Sequence, residues 1–174
     1  MAALHFVLDT LLTLVMIAFL LRLLMQLVRA DFRNPVGHAV LQFTNPVVMP
    51  LRKVLRPAGR VDLASVAAVL LVQVAGTALL RLVTGQGLEP GALLVNALYR
   101  LAHGVLQFYF WAVLLYVVLS WIAPGNRGPG PALVGRLCEP LLRPVRRVVP
   151  PIGGLDLSAL FVMIGLQALQ ILLR

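Results

Sequence analysis

Four apolar runs divide the sequence, at about residues 3–28, 63–84, 101–123 and 155–173. Each approaches or exceeds the roughly 20 helical residues needed to cross a hydrocarbon core of about 30 Å. Backbone left unpaired in lipid is costly, and no alternating barrel pattern is present, so these runs predict transmembrane helices. Between them the pattern changes. In residues 45–65 the apolar positions Val47, Val48, Leu51, Val54 and Leu55 fall on one arc of a helical wheel, with Arg52, Lys53 and Arg56 opposite. This is the pattern of a short helix lying in the membrane interface.

The same stretch returns. NPVVMPLRKVLRPAGRVDLAS at residues 45–65 is matched by EPLLRPVRRVVPPIGGLDLSA at residues 139–159, under a constant shift of 94 residues. Pro46 falls on Pro140, Pro50 on Pro144, Arg52 on Arg146, Lys53 on Arg147, Pro57 on Pro151, Gly59 on Gly153 and Asp62 on Asp156. The second copy places Leu141, Leu142, Val145, Val148 and Val149 on the apolar arc, with Arg143, Arg146 and Arg147 opposite. The expected fold is therefore an all-α membrane protein of four transmembrane helices, arranged as two parallel-oriented tandem repeats, each with a cytoplasmic amphipathic interfacial helix. The repeats are residues 1–94, with a basic loop at 29–62, and residues 95–174, with a basic loop at 124–156.

The prolines and aspartates predict local geometry. Pro46 and Pro140 suit the first helical position, Pro50 and Pro144 its first turn, and Pro57–Gly59 with Pro151–Gly153 end the short helix. Asp62 and Asp156 are expected N-caps of the spans that follow; proton or cation ligation is the other reading of a carboxylate near a membrane.

Charge sets the orientation. Arg29, Arg33, Arg52, Lys53, Arg56 and Arg60 lie between the first two runs, and Arg127, Arg136, Arg143, Arg146 and Arg147 between the last two. The connection at 85–100 holds only Arg100 as a basic residue. The positive-inside rule then predicts two cytoplasmic loops and two external termini, in a multi-pass protein of a bacterial inner membrane. A removable signal peptide is not expected, because no basic residue precedes the first apolar run. Sixty per cent of the residues are hydrophobic and the mean hydropathy is +0.95, so the 15 basic residues against 6 acidic ones point to anionic lipid head groups rather than nucleic acid.

Three polar residues lie inside the spans. Arg22 either snorkels to the interface or pairs with a carboxylate on a neighbouring helix. Gln73 and Gln167 match under the same shift, each about 16 Å past its aspartate and so near the midplane. They either join helices by hydrogen bonds or line a polar path. His5, His38 and His103 show no metal or haem spacing, and the single cysteine, Cys138, excludes an intrachain disulfide. No nucleophile–base arrangement, phosphate-binding glycine loop or paired-carboxylate motif occurs, so neither enzymatic activity nor a cofactor is expected.

With DFRNP at 31–35, the two duplicated stretches, the arginine of the first run at Arg22 and the Ser120–Trp121 pair, the sequence resembles the YggT family, also called YlmG, over almost its whole length. The resemblance implies an inner-membrane protein linked to osmotic-shock tolerance and ion homeostasis, to envelope or division organisation, or in plastid relatives to cytochrome b6 haem assembly or nucleoid distribution. It carries over no catalytic residue. The chain departs from its own repeat where Asn45 becomes Glu139, Arg56 becomes Pro150 and Arg60 becomes Gly154. The leading expectation is a non-enzymatic protein that organises lipid or a membrane-protein partner through Arg52, Lys53, Arg56, Arg143, Arg146 and Arg147. Alternatives are a homo-oligomeric channel or transporter subunit, and a factor that holds a client protein during cofactor insertion.

Overall fold

The computed structural model describes residues 2–55, 61–122, 128–149 and 156–173. Six helices follow in order: α1 (Ala2–Leu27), α2 (Pro35–Val54), α3 (Leu63–Val83), α4 (Pro90–Ile122), α5 (Pro129–Arg146) and α6 (Leu157–Leu172). Two compact units meet at Gly104 and Val105, within α4. In the first, Phe19 of α1 and Val48 of α2 are buried with Ala64, Ala68 and Val69 of α3. Ala64 and Ala68 lie one turn apart, and their small side chains leave room for close helix packing. In the second, Val113 of α4 is buried with Cys138 and Leu142 of α5 and with Ala159, Val162 and Leu166 of α6.

Much apolar surface stays outside these cores. Leu4, Phe6, Leu11 and Leu14 of α1, Leu71 and Leu79 of α3, and Leu94, Val95 and Trp111 of α4 are all exposed. Patches of this extent are a liability in water and the ordinary outer surface of a helix in lipid. Three helices, Ala3–Leu27, Leu63–Val83 and Pro90–Ile122, are long and apolar enough to cross a membrane. This is a helical membrane protein by length and composition.

Several boundaries differ from expectation. The fourth apolar run forms α6 over only 16 residues, a rise of about 24 Å that falls short of the core thickness. The third run begins earlier, at Pro90, because proline suits a first helical position and α4 continues unbroken for 33 residues. Most of the supposed short loop at 85–100 is thus helix. Gly85, with φ +70°, ends α3, and Gln86 N donates back to Arg81 O at 2.8 Å.

The two helices expected at the interface, α2 and α5, are also longer than predicted. They begin at Pro35 and Pro129, not at Pro46 and Pro140, and they run through Pro46, Pro50, Pro140 and Pro144. Each internal proline leaves the carbonyl four residues earlier without its donor. These prolines and the residues four before them are all exposed, so the freed carbonyls lie on the exposed faces of α2 and α5. The buried face repeats at helical spacing, through Gly37, Val40, Thr44 and Val48 in α2 and Leu133, Leu137, Cys138 and Leu142 in α5. The expected stops at Pro57, Gly59, Pro151 and Gly153 lie outside the described residues, as do Arg56 and Arg60.

DFRNP makes the turn between α1 and α2. Arg33 N donates to Asp31 Oδ1 at 2.9 Å, Asn34 Nδ2 donates to Asp31 O at 2.6 Å, and Asn34 Oδ1 accepts from Gly37 N at 2.7 Å as the N-cap of α2. A Cβ at Gly37 would lie 2.7 Å from Phe32 Cα, so the turn and the helix approach more closely than a side chain allows. Gly37→Ala is therefore expected to cost about 1–3 kcal/mol and lower the midpoint of thermal unfolding in detergent. Gly130→Ala, where an added Cβ meets nothing within 4 Å, serves as the control and should leave the midpoint unchanged or slightly raised.

Candidate functional site

The polar side chains gather where α2 turns into α3 and where α5 turns into α6. In the first unit Arg52, in the last turn of α2, pairs with Asp62 Oδ2 at the start of α3. Gln26 Nε2 and Ser65 Oγ donate to the same oxygen at 3.3 and 2.9 Å. The cation sits at the negative end of one helix dipole and the carboxylate at the positive end of the next, so the pair complements both. Asp62 is buried, which alone would raise its carboxyl pKa; the hydrogen bonds from Arg52, Ser65 and Gln26 overcome this and hold it below its ordinary 3.8.

Asp62 occupies the N-cap position, and its carbonyl accepts from Ser65 N and Val66 N at 3.0 and 3.1 Å. Its carboxylate makes no side-chain cap bond. The expected role as a side-chain cap is thus corrected: Arg52 competes for the carboxylate and wins, because an ionised partner makes the stronger hydrogen bond.

Beside this pair lies Arg22, only 2% exposed. Its Nη1 donates to Thr44 Oγ1 at 2.7 Å and Asn45 Oδ1 at 2.9 Å, and Thr44 Oγ1 donates in turn to Val40 O at 2.6 Å. Arg22 does not snorkel outward and, among the described residues, pairs with no carboxylate. Two neutral acceptors on α2 hold it inside the unit. Among the described residues its Nε, with Asp62 Oδ1 and Gln26 Oε1, is buried without a hydrogen-bond partner.

The second unit repeats the clamp with different neighbours. Arg146 donates from Nε to Asp156 Oδ2 at 2.9 Å, from Nη1 to Glu139 Oε2 at 3.0 Å and from Nη2 to Tyr116 Oη at 2.9 Å. Its Cζ lies 5.8 Å from the Tyr116 ring centre. Asp156 Oδ1 accepts from Ser158 N at 3.1 Å and from Ser158 Oγ, so this aspartate does cap its helix through the side chain. Burial opposes ionisation of Asp156, but the bonds from Ser158 and Arg146 hold its pKa below 3.8. Burial also disfavours charge on Arg146, yet Asp156, Tyr116 and Glu139 raise its pKa.

The shift of 94 residues matches these positions one for one. Tyr116 stands where the first unit has Arg22, Cys138 where it has Thr44, and Glu139 where it has Asn45. The first cluster has two cations to one carboxylate; the second has one cation to two carboxylates. Cys138 is fully buried, and burial pushes its thiol up to about 12, which keeps it protonated and unreactive.

Arg52 and Arg146 are therefore each paired with an aspartate, although the Arg52 side chain stays 40% exposed, whereas the sequence pattern placed both among the lipid-facing cations. Lys53, Arg143 and Arg147 are exposed, and Arg56 lies outside the described residues. Gln73 is buried while Gln167 is exposed and Gln170 buried, so the two matching glutamines occupy different environments. The clamp had a signal that periodicity does not catch: an arginine and an aspartate ten residues apart, recurring at the same interval in both units. Among the described residues no group of three or more His, Cys, Asp or Glu could hold a metal ion.

Asp62 is the more buried of the two clamp carboxylates, its side chain 10% exposed against 31% for Asp156. Asp62→Asn is expected to cost about 1–3 kcal/mol, and Asp156→Asn less, in thermal unfolding of the purified protein. Both carboxyls have lowered native pKa values, so their contribution is complete well above 3.8 and is lost as pH falls below it toward the native values. Unfolding midpoints between pH 7 and pH 2.5 should fall steeply only in that acid range, and less steeply for Asp62→Asn.

No solved structure matches the chain. The family model described as CCB3/YggT matches it in two stretches, residues 1–83 and 95–174. Curated relatives include the uncharacterized protein PA0392 of Pseudomonas aeruginosa, 38% identical over 96% of this chain and 86% of the relative. An uncharacterized protein of Vibrio alginolyticus is 36% identical over 96% and 91%, and the uncharacterized protein YggT of Escherichia coli K12 is 32% identical over 98% and 88%. With both halves matched by one family model and relatives similar across nearly the full length, the chain belongs to the CCB3/YggT family.

Proposed function

We propose that this chain is a non-enzymatic inner-membrane protein whose two clamped elbows engage anionic lipid or a membrane-protein partner and support tolerance of osmotic shock. In this reading α6 is a fourth, short span accommodated by local thinning of the bilayer, and the halves 1–94 and 95–174 are tandem copies with cytoplasmic α2 and α5. The two-part family match and the correspondence of Pro35 with Pro129 and Leu63 with Leu157 at helix starts favour that duplication.

One observation carries the proposal. Val54 and Val148, 94 residues apart, are each 80% exposed, and each follows an exposed cation, Lys53 or Arg147. The preceding residue in each copy is the clamp arginine, Arg52 or Arg146. Three consecutive residues thus pair one cation with an aspartate and leave the next cation and the next apolar side chain exposed. An outward cation beside an outward valine suits a boundary where anionic head groups meet acyl chains.

Each cation near an anionic surface contributes about 1 kcal/mol. Lys53→Gln with Arg147→Gln is therefore expected to reduce enrichment of phosphatidylglycerol around the protein in mixed nanodiscs by about tenfold or more. The same variant should fail to restore survival after osmotic downshift in a strain lacking the protein. Unchanged lipid enrichment together with full survival would refute the reading and turn attention to the intramembrane residues Arg22 and Gln73, and so to transport.

A further inference from the structure

We propose that the first unit carries a second binding site, for a phosphate group, in a cavity at the end of α3 remote from Asp62. The cavity has a volume of about 250 Å³ and is lined by His5 of α1, Arg81 at the end of α3, Gln86 in the turn that follows, and Asn96, Tyr99 and Arg100 of α4, among others. None of its lining residues is a carboxylate.

The cationic side chains are not fully neutralised from within. Arg100 pairs with Asp9, and its Nε is buried without a hydrogen-bond partner among the described residues. Arg81 donates from Nε to Gly87 O at 2.9 Å and, among the described residues, is in no ion pair. Two guanidinium groups against one carboxylate leave one positive charge at the cavity. Guanidinium forks bind tetrahedral oxyanions well, and the amides of Gln86 and Asn96 with the Tyr99 hydroxyl add neutral donors.

The wall is held in place before any ligand arrives. Gly85 at φ +70° turns the chain out of α3, and the Arg81–Gly87 bond closes the turn. Tyr99 stacks on His103 with ring centres 6.2 Å apart. Such preorganisation lowers the ordering cost of binding.

Position along α3 argues for the ligand class. Arg81 lies nineteen residues after Asp62, an axial rise of about 28 Å, close to the full hydrocarbon thickness. If Asp62 marks one head-group level, Arg81 marks the other. The volume is below the roughly 300–1,000 Å³ of pockets for drug-sized ligands, which suits a head group or a free anion. A phosphate monoanion fits the size, the charge and the depth.

The test uses the full-length protein with two probes: inorganic phosphate by equilibrium dialysis in detergent, and phosphatidylglycerol against a phosphate-free neutral glycolipid in nanodiscs, read by native mass spectrometry. Wild type is expected to retain at least one phosphate probe over its control. Read in the Lys53→Gln, Arg147→Gln background, which silences the elbows, Arg81→Gln and Asn96→Leu should each weaken that retention about tenfold. Retention of phosphatidylglycerol alone identifies a lipid head group, and retention of inorganic phosphate identifies a free anion; both support the site. Should Arg81→Gln fail to fold, Asn96→Leu decides. Retention of neither probe, or wild-type retention by Asn96→Leu, overturns the proposal. That background separates its failure from failure of the elbow reading, since the elbows lose lipid enrichment with Lys53 and Arg147 but not with Asn96.

Discussion

A guanidinium–carboxylate bond spanning ten residues governs the geometry of each elbow. Between Arg52 and Asp62 the chain leaves α2 and enters α3, and between Arg146 and Asp156 it leaves α5 and enters α6. Such a corner faces unpaired carbonyls at one helix end and unpaired N–H groups at the other. Placing the cation at the first and the carboxylate at the second answers both dipoles, and their contact ties the two helix ends together. Residues beside the arginine then have little freedom in where they point, which is why Lys53 with Val54 and Arg147 with Val148 share the same outward placement.

Around this shared bond the two units differ in charge. The first adds Arg22, with neutral Thr44 and Asn45 as acceptors; the second has Tyr116, Cys138 and Glu139 in the matching places. These exchanges are coupled by elementary electrostatics. A buried arginine beside a clamp arginine disfavours a third cation and needs acceptors, which Thr44 and Asn45 supply. Replacing that arginine with tyrosine lets the clamp arginine turn toward a second carboxylate, and Glu139 provides it. The clamp clusters have a common frame and opposite net charge, while exposed cations flank both, Lys53 in the first and Arg143 and Arg147 in the second.

Hydropathy made the helical membrane class legible, and the repeated prolines and basic residues marked both elbows. What escaped was direction. A wheel drawn over residues 47–55 places Arg52 with Lys53 on a polar face, yet Arg52 turns to a carboxylate ten residues on, a contact that depends on the corner and not on helix periodicity. The same wheel begins at Pro46 because proline reads as a helix start; the exposed carbonyls that let α2 pass through Pro46 and Pro50 are visible only once the buried face of Gly37, Val40, Thr44 and Val48 is known. Arg22 looked like a residue needing water or an acid, because Thr44 and Asn45 are distant in sequence and unremarkable alone.

The central claim is that the clamp aims Val54 into the acyl boundary beside Lys53. A spin label at Val54→Cys tests it most directly, since the native thiol of Cys138 is buried and protonated. In liposomes of mixed anionic and neutral lipid, collision rates with oxygen and with a water-soluble nickel chelate report the depth of the label. The account predicts a label favouring oxygen in the native background and shifting toward the aqueous chelate when Asp62→Asn loosens the clamp. A label that favours the aqueous chelate in both backgrounds would contradict it.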